Sequence, residues 1–174
     1  GLNGSGKSTL LRLLMAEHWK TEGELTVLGT TFGQGDIPEL RTKIGVVGSF
    51  IAERLPSRML AEEIVLTGKY KSSILYRQYG EAELNEAREM LLSIGGQELI
   101  GRDYASLSQG EKQLLLIARS LMETPDLLIL DEATSNVDTV TESKIQQAME
   151  AIVAGRTSFV IAHRLKTILN ADQI

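Results

Sequence analysis

Two hydrophobic rhythms run along the chain, and their order sketches its fold. Leu10, Leu11, Leu14, Met15 and His18 recur at helical spacing, which predicts a helix over 5–18. Residues 24–28 read as a short strand between Gly23 and Gly29. In Asp36-Ile37-Pro38-Glu39-Leu40 an acidic cap and a first-turn proline announce another helix. A second strand follows over 43–47 and ends at Gly48.

The middle of the chain, 50–123, reads as mostly helical. There Leu84, Ala87, Leu91 and Ile94 line one helix face, and Gly95-Gly96 stops it. The rhythm then alternates strand and helix. Leu127-Leu128-Ile129-Leu130 is apolar at every position, as a parallel strand covered on both faces must be. Ile145, Ala148, Met149, Ile152 and Val153 form a helical stripe ended by Gly155, and 157–162 is another buried strand. The pattern predicts one α/β domain, with its core in 1–49 and 124–174 and a helical subdomain inserted at 50–123.

Composition narrows the function classes without choosing one. A chain of 174 residues, 43% apolar and 24% charged, suits a single packed domain. Its net charge of -5 argues against nucleic acid as a partner, because such surfaces carry a basic surplus. Without cysteine it has neither disulfides nor thiolate metal ligands, which fits a reducing compartment. No apolar run approaches the roughly 18 residues of a membrane span, and no signal peptide opens the chain. Gly1 already begins a phosphate loop of the kind that follows a strand, and 171–174 open a new apolar stretch, so a fragment of a longer domain is expected.

Three motifs carry chemistry. The first is Gly1-Leu2-Asn3-Gly4-Ser5-Gly6-Lys7-Ser8-Thr9, which fits the phosphate-loop pattern G-x-x-x-x-G-K-[ST]. Glycines let successive N–H groups curl around phosphate oxygens, and the helix that follows points its positive end at them. Lys7 would neutralise the β- and γ-phosphates, and Ser8 would hold Mg2+. A glycine-rich turn that merely starts a helix is the blander alternative; the apolar helix directly after Lys-Ser-Thr weighs against it.

The second motif is the apolar strand that ends in Asp131-Glu132. A strand of a parallel sheet delivers such carboxylates to the edge where ligands bind. Asp131 would reach Mg2+, and Glu132 would orient or deprotonate an attacking water. An acidic strand-to-helix cap would look the same, so this motif gains weight only beside the first.

The third motif is Leu107-Ser108-Gln109-Gly110-Glu111. Ser108 and Glu111 have capping-box spacing, so a helix should start here whatever else the segment does. With this segment the chain resembles the ABC ATPases, a family of P-loop NTPases whose signature is usually written LSGGQ. The resemblance implies a P-loop NTPase core with a mostly parallel sheet. It also implies that Ser108, Gln109 and Gly110 meet the γ-phosphate held by a partner's phosphate loop. On the same resemblance, Asp138 in Ser135-Asn136-Val137-Asp138 lies along a dimer interface. His163, after the strand Phe159-Val160-Ile161-Ala162, is the switch histidine that contacts the γ-phosphate.

The implied protein binds and hydrolyses MgATP as a transporter motor, with Asn3, Gly4, Ser5, Gly6, Lys7, Ser8 and Thr9 on the nucleotide. Its expected partners are ATP, a second ABC ATPase domain and transmembrane domains, at the cytoplasmic face of a membrane. Two alternatives stand beside it: a non-transport ABC ATPase of DNA repair or translation, and a truncated piece with little activity. The pattern departs from the family after the strand at 43–47, where Ser49 takes the place of a metal-sensing glutamine and is too short to reach the metal directly. The tail, 130–174, resembles exporter-type ATPases, whereas 48–79 is closer to other branches. No role is read for Trp19, Tyr70, Tyr76 or Tyr79.

Overall fold

The computed structural model describes residues 7–15, 22–70, 72, 74–75, 78–122, 125–131, 138–153 and 157–161. Helix α1 covers Lys7–Leu14, within the span expected from the leucine spacing. Strand β1 is confined to Thr26–Val27 and pairs antiparallel with β2, Thr30–Thr31, a partner the sequence did not disclose. The expected strand at 24–28 is shorter because Leu28 and Gly29 form the turn, with φ of 47° and 76°. Positive φ at both central positions is the requirement of the tight hairpin turn that matches strand twist.

Helix α2, Ile37–Thr42, begins as expected: the Asp36 carboxylate accepts the Glu39 N–H at 3.0 Å, and proline stands in the first turn. Lys43 closes that helix, so β3 is Ile44–Val47. Four α-helices then follow, α3 at Ser49–Ala52, α4 at Ala61–Lys69, α5 at Glu81–Ser93 and α6 at Gln109–Met122, with short 3-10 turns at Gln97–Leu99 and Tyr104–Ser106. The end of α5 carries the expected glycine stop. Gly95 adopts φ 73° and donates to the Leu92 carbonyl, while Gly96 donates to Leu91. Those two bonds satisfy carbonyls that a helix end would otherwise leave unpaired.

Strand β4, Leu127–Asp131, helix α7, Thr139–Val153, and strand β5, Thr157–Ile161, complete the described order. The sheet is parallel in the order β3-β4-β5, with Val47 opposite Leu130 and Asp131 opposite Ile161. Successive residues of a strand face opposite sides, and two cores result. Ile44, Val46, Leu127 and Ile129 join Leu11, Met15, Val27, Phe32 and Leu40 on one face. Val47, Leu128 and Leu130 join α4, α5, α6 and α7 on the other. This is why β4 had to be apolar at consecutive positions. It is the middle strand of the three and is covered on both faces.

Between α4 and α6 the contact is close and partly polar. The buried Arg119 donates from Nε to the Thr67 hydroxyl at 2.9 Å and from Nη2 to the Ser72 carbonyl at 3.0 Å. Two tyrosines without an expected role tie the segment after α4 to neighbouring helices. Tyr70 donates to the Glu83 carboxylate, and Tyr79 donates to Glu63.

Candidate functional site

One candidate site residue, Asp131, stands at the carboxyl edge of the parallel sheet. There β3 runs into Gly48 and α3, while β4 ends at Asp131 in register with Ile161. Asp131 directly precedes Glu132, and Ile161 stands two positions before His163. Glu132 and His163 themselves lie outside the described residues. So do Asn3, Gly4, Ser5 and Gly6 of the phosphate loop, and His18, Trp19 and Tyr76. Lys7, Ser8 and Asp131 are described by backbone alone; Thr9 is exposed on α1. Leu11 of that helix and Met15 just after it pack with the β3–β4 face, so the chain that follows the phosphate loop packs on the strand pair that ends at Asp131.

Ser49, at the position of the expected glutamine, begins α3 directly after β3. The turn is closed by Ile51 and Ala52, whose N–H groups both donate to the Gly48 carbonyl.

The signature segment is defined in full, and its capping box is closed in both directions. Glu111 N–H donates to Ser108 Oγ at 3.3 Å, and Ser108 N–H donates to Glu111 Oε2 at 2.7 Å. Ser108 and Gln109 are exposed while Gly110 is buried, so the serine stands at the surface at the helix start, its Oγ accepting the Glu111 N–H. Burial alone would raise the Glu111 carboxyl pKa. The Ser108 amide, the Arg102 guanidinium and the Ser108 hydroxyl outweigh it and hold the group below its ordinary value.

Arg102 is the residue that motif reading missed. It donates to Glu111 Oε1 at 2.6 Å and to the Ser106 carbonyl at 2.9 Å. Its only sequence signal is a cation nine positions before Glu111, which no helical or strand period links to it.

Asp138 is exposed and accepts the Thr141 N–H at 2.9 Å, capping α7. That bond comes first among those that lower its pKa. Among the described residues, no group of His, Asp and Glu is arranged to hold a metal ion. The donors expected for Mg2+ are the hydroxyl of Ser8 and the carboxylate of Asp131. These are hard oxygen ligands of the kind that ion takes alongside phosphate, so the donor set fits.

The sequence matches a known family. The model of the ABC transporter family matches residues 1–135. The chain belongs to that family. It is 70% identical over 152 residues to a putative ABC transporter ATP-binding protein of Streptococcus mutans, covering 87% of this chain and 58% of that protein. An uncharacterized ABC transporter ATP-binding protein of Lactococcus lactis is 59% identical over 87% of this chain and 59% of its own length. The chain therefore spans somewhat more than half the length of these curated relatives.

Among solved structures, an ATP-binding cassette captured as a dimer in a post-hydrolysis state with ADP and Pi superposes with a TM-score of 0.78. It is 28% identical, over 95% of this chain and 73% of that one. A bacterial Atm1-family ABC exporter with ATP bound gives a TM-score of 0.68 at 32% identity, over 99% of this chain and 30% of that one. The fold is thus the ABC ATPase cassette, an α/β P-loop NTPase with a parallel sheet. The relatives carry transporter names, which gives no support to the DNA-repair or translation alternative. No described helix of the cassette is long and apolar enough to cross a membrane.

Proposed function

We propose that this cassette binds MgATP and hydrolyses it at a site shared with a second cassette, as the motor of a membrane transporter. The observation that carries the reading is the register of Asp131 with Ile161, which sets the chain leading to Glu132 beside the chain leading to His163. In this reading the phosphate-loop amides from Asn3 to Gly6, with Lys7, Ser8 and Thr9, hold the phosphates. Ser8 and Asp131 hold Mg2+, whose charge offsets that of the phosphate oxygens when it is bound.

Glu132 orients a water toward the γ-phosphorus and takes its proton while the bond from the γ-phosphorus to the bridging oxygen breaks. ADP and inorganic phosphate result, and His163 positions the water and the γ-phosphoryl group. Ser108, Gln109 and Gly110 act on the nucleotide of the second cassette, with Asp138 along the interface. An exposed serine at a helix start suits that task, since its hydroxyl proton can be donated to an anion while its oxygen caps the helix.

The α/β core comprises 1–49 and 124–174, and 50–123 forms the helical subdomain. Transmembrane partners hold the cassette at the cytoplasmic face of a membrane. A thermal melt of the full-length protein tests the reading. MgATP at about 100 times its Kd should add about 2.7 kcal/mol of stability. An unchanged melting temperature at saturating MgATP would reject it.

A further inference from the structure

We propose that Arg102 is a positioning residue for the signature serine, holding Ser108 in its exposed pose through Glu111. The role rests on the shared-site reading given above.

The backbone that carries Arg102 is fixed at several points. The Glu62 carboxylate, only 3% exposed, accepts the Gly101 N–H at 2.9 Å. Ala61 N–H donates to the Arg102 carbonyl at 3.0 Å, Tyr104 N–H to Met59 at 3.0 Å, and Ala105 N–H to Ser57 at 2.8 Å. Leu60 and Asp103 add an antiparallel bridge. From this anchored segment the guanidinium spans two acceptors, Glu111 Oε1 and the carbonyl of Ser106, two residues before Ser108.

Glu111 divides its two oxygens between neighbours. Oε1 takes Arg102, and Oε2 takes the Ser108 N–H. A glutamate side chain has three rotatable bonds, and one hydrogen bond to Ser108 leaves it free to swing. The second contact, to a cation whose backbone cannot follow, removes that freedom. The glutamine of the usual signature would serve the capping box as well but would offer the guanidinium only a neutral oxygen. The Arg102 and Glu111 side chains are 37% and 21% exposed, too accessible for the pair to add much to global stability. Its consequence lies in geometry. A fixed Ser108 meets the phosphate of the opposite cassette without first being ordered.

The test compares Arg102→Ala and Arg102→Met, the second retaining much of the aliphatic stem, with the parent full-length protein. Three quantities are read: MgATP binding to the monomer, ATP-driven dimerisation, and amide exchange at Ser108. Monomer binding should stay within about twofold, because Ser108 does not touch its own nucleotide. Dimerisation and turnover should weaken about tenfold or more, the range for a lost charge-assisted hydrogen bond. Ser108 exchange should quicken, and Arg102→Lys should recover most of the loss. In a Glu111→Gln background the same Arg102→Ala change should have less effect, since the charge-assisted contact has already been reduced to one with a neutral oxygen.

Dimerisation within twofold of the parent in both variants would overturn the proposal, even if Ser108 exchange rose. An equal loss in the Glu111→Gln background would overturn it too. A parent protein that binds no MgATP removes the functional reading and this proposal together. A parent that binds and dimerises while Arg102→Ala behaves like it removes this proposal alone.

Discussion

Gly68 of α4 lies against the backbone of Arg119 in α6, so near that a methyl group on Gly68 would sit 2.2 Å from the Arg119 carbonyl oxygen. A backbone oxygen inside a helix has no rotamer by which to withdraw. Both residues are buried, and Thr67, one position before Gly68, accepts the Arg119 guanidinium N–H. Gly68→Ala should therefore push α4 and α6 apart and cost about 1–3 kcal/mol, the usual range for overpacking a core. Urea denaturation of the two proteins checks this. An unchanged midpoint would mean that the helices meet elsewhere.

The hairpin tip predicts a change in the other direction. Leu28 holds φ at 47°, a conformation that costs an L-residue with a bulky side chain about 1–2 kcal/mol, and the residue is 40% exposed. Little packing repays that strain. Leu28→Asn should raise stability by about 1 kcal/mol, because asparagine tolerates left-handed backbone at this position of the turn. Calorimetry should show a higher Tm for the variant. A lower one would show that the leucine makes a contact that outweighs its strain.

Acid should loosen the signature region. Glu111 and Asp138 are held below their ordinary values by the causes given above, and Glu98 is lowered first by its pairing with Lys144. Each carboxylate thus keeps its charge more firmly folded than unfolded. Above the unfolded value, about 4 for such groups, each contribution is complete, and it disappears as pH falls through the lower folded value. Stability should be flat near neutrality and fall below about pH 4. Glu111→Gln should shallow that fall, and an unaltered slope would show that the carboxylate keeps its ordinary affinity for protons.

What could be read before folding was what physics makes local. The capping box of Ser108 and Glu111 needs only three intervening bonds of helix, and it formed as its spacing required. The stop at Gly95-Gly96 and the cap at Asp36 are equally short-range. The run Leu127 to Leu130 announced burial on both faces, because no exposed side would tolerate it. Arg102 was invisible for the opposite reason. Its reach to Glu111 depends on the path of 101–105 along the start of α4, and that path is set by bonds to residues some 40 positions away. Tyr70 and Tyr79 were silent for the same reason, since their partners stand on neighbouring helices. The β2 strand escaped because two threonines carry no alternating pattern of their own.

The sharpest chemical prediction concerns Glu132, the residue after Asp131 at the carboxyl end of β4. If it orients and deprotonates water, its contribution is to the transition state rather than to nucleotide affinity. Glu132→Gln keeps the size and the hydrogen-bonding of the side chain but cannot accept the proton. MgATP should still raise the Tm of the full-length variant as much as it should the parent's, and hydrolysis should fall about 10²–10⁴-fold, the range for a positioned general base. Lys7→Ala should do the reverse, losing the thermal shift because the phosphates lose their cation. Measuring both variants side by side separates the roles. Turnover retained in Glu132→Gln would take the base away from this position, and a full thermal shift in Lys7→Ala would take the phosphates away from the loop.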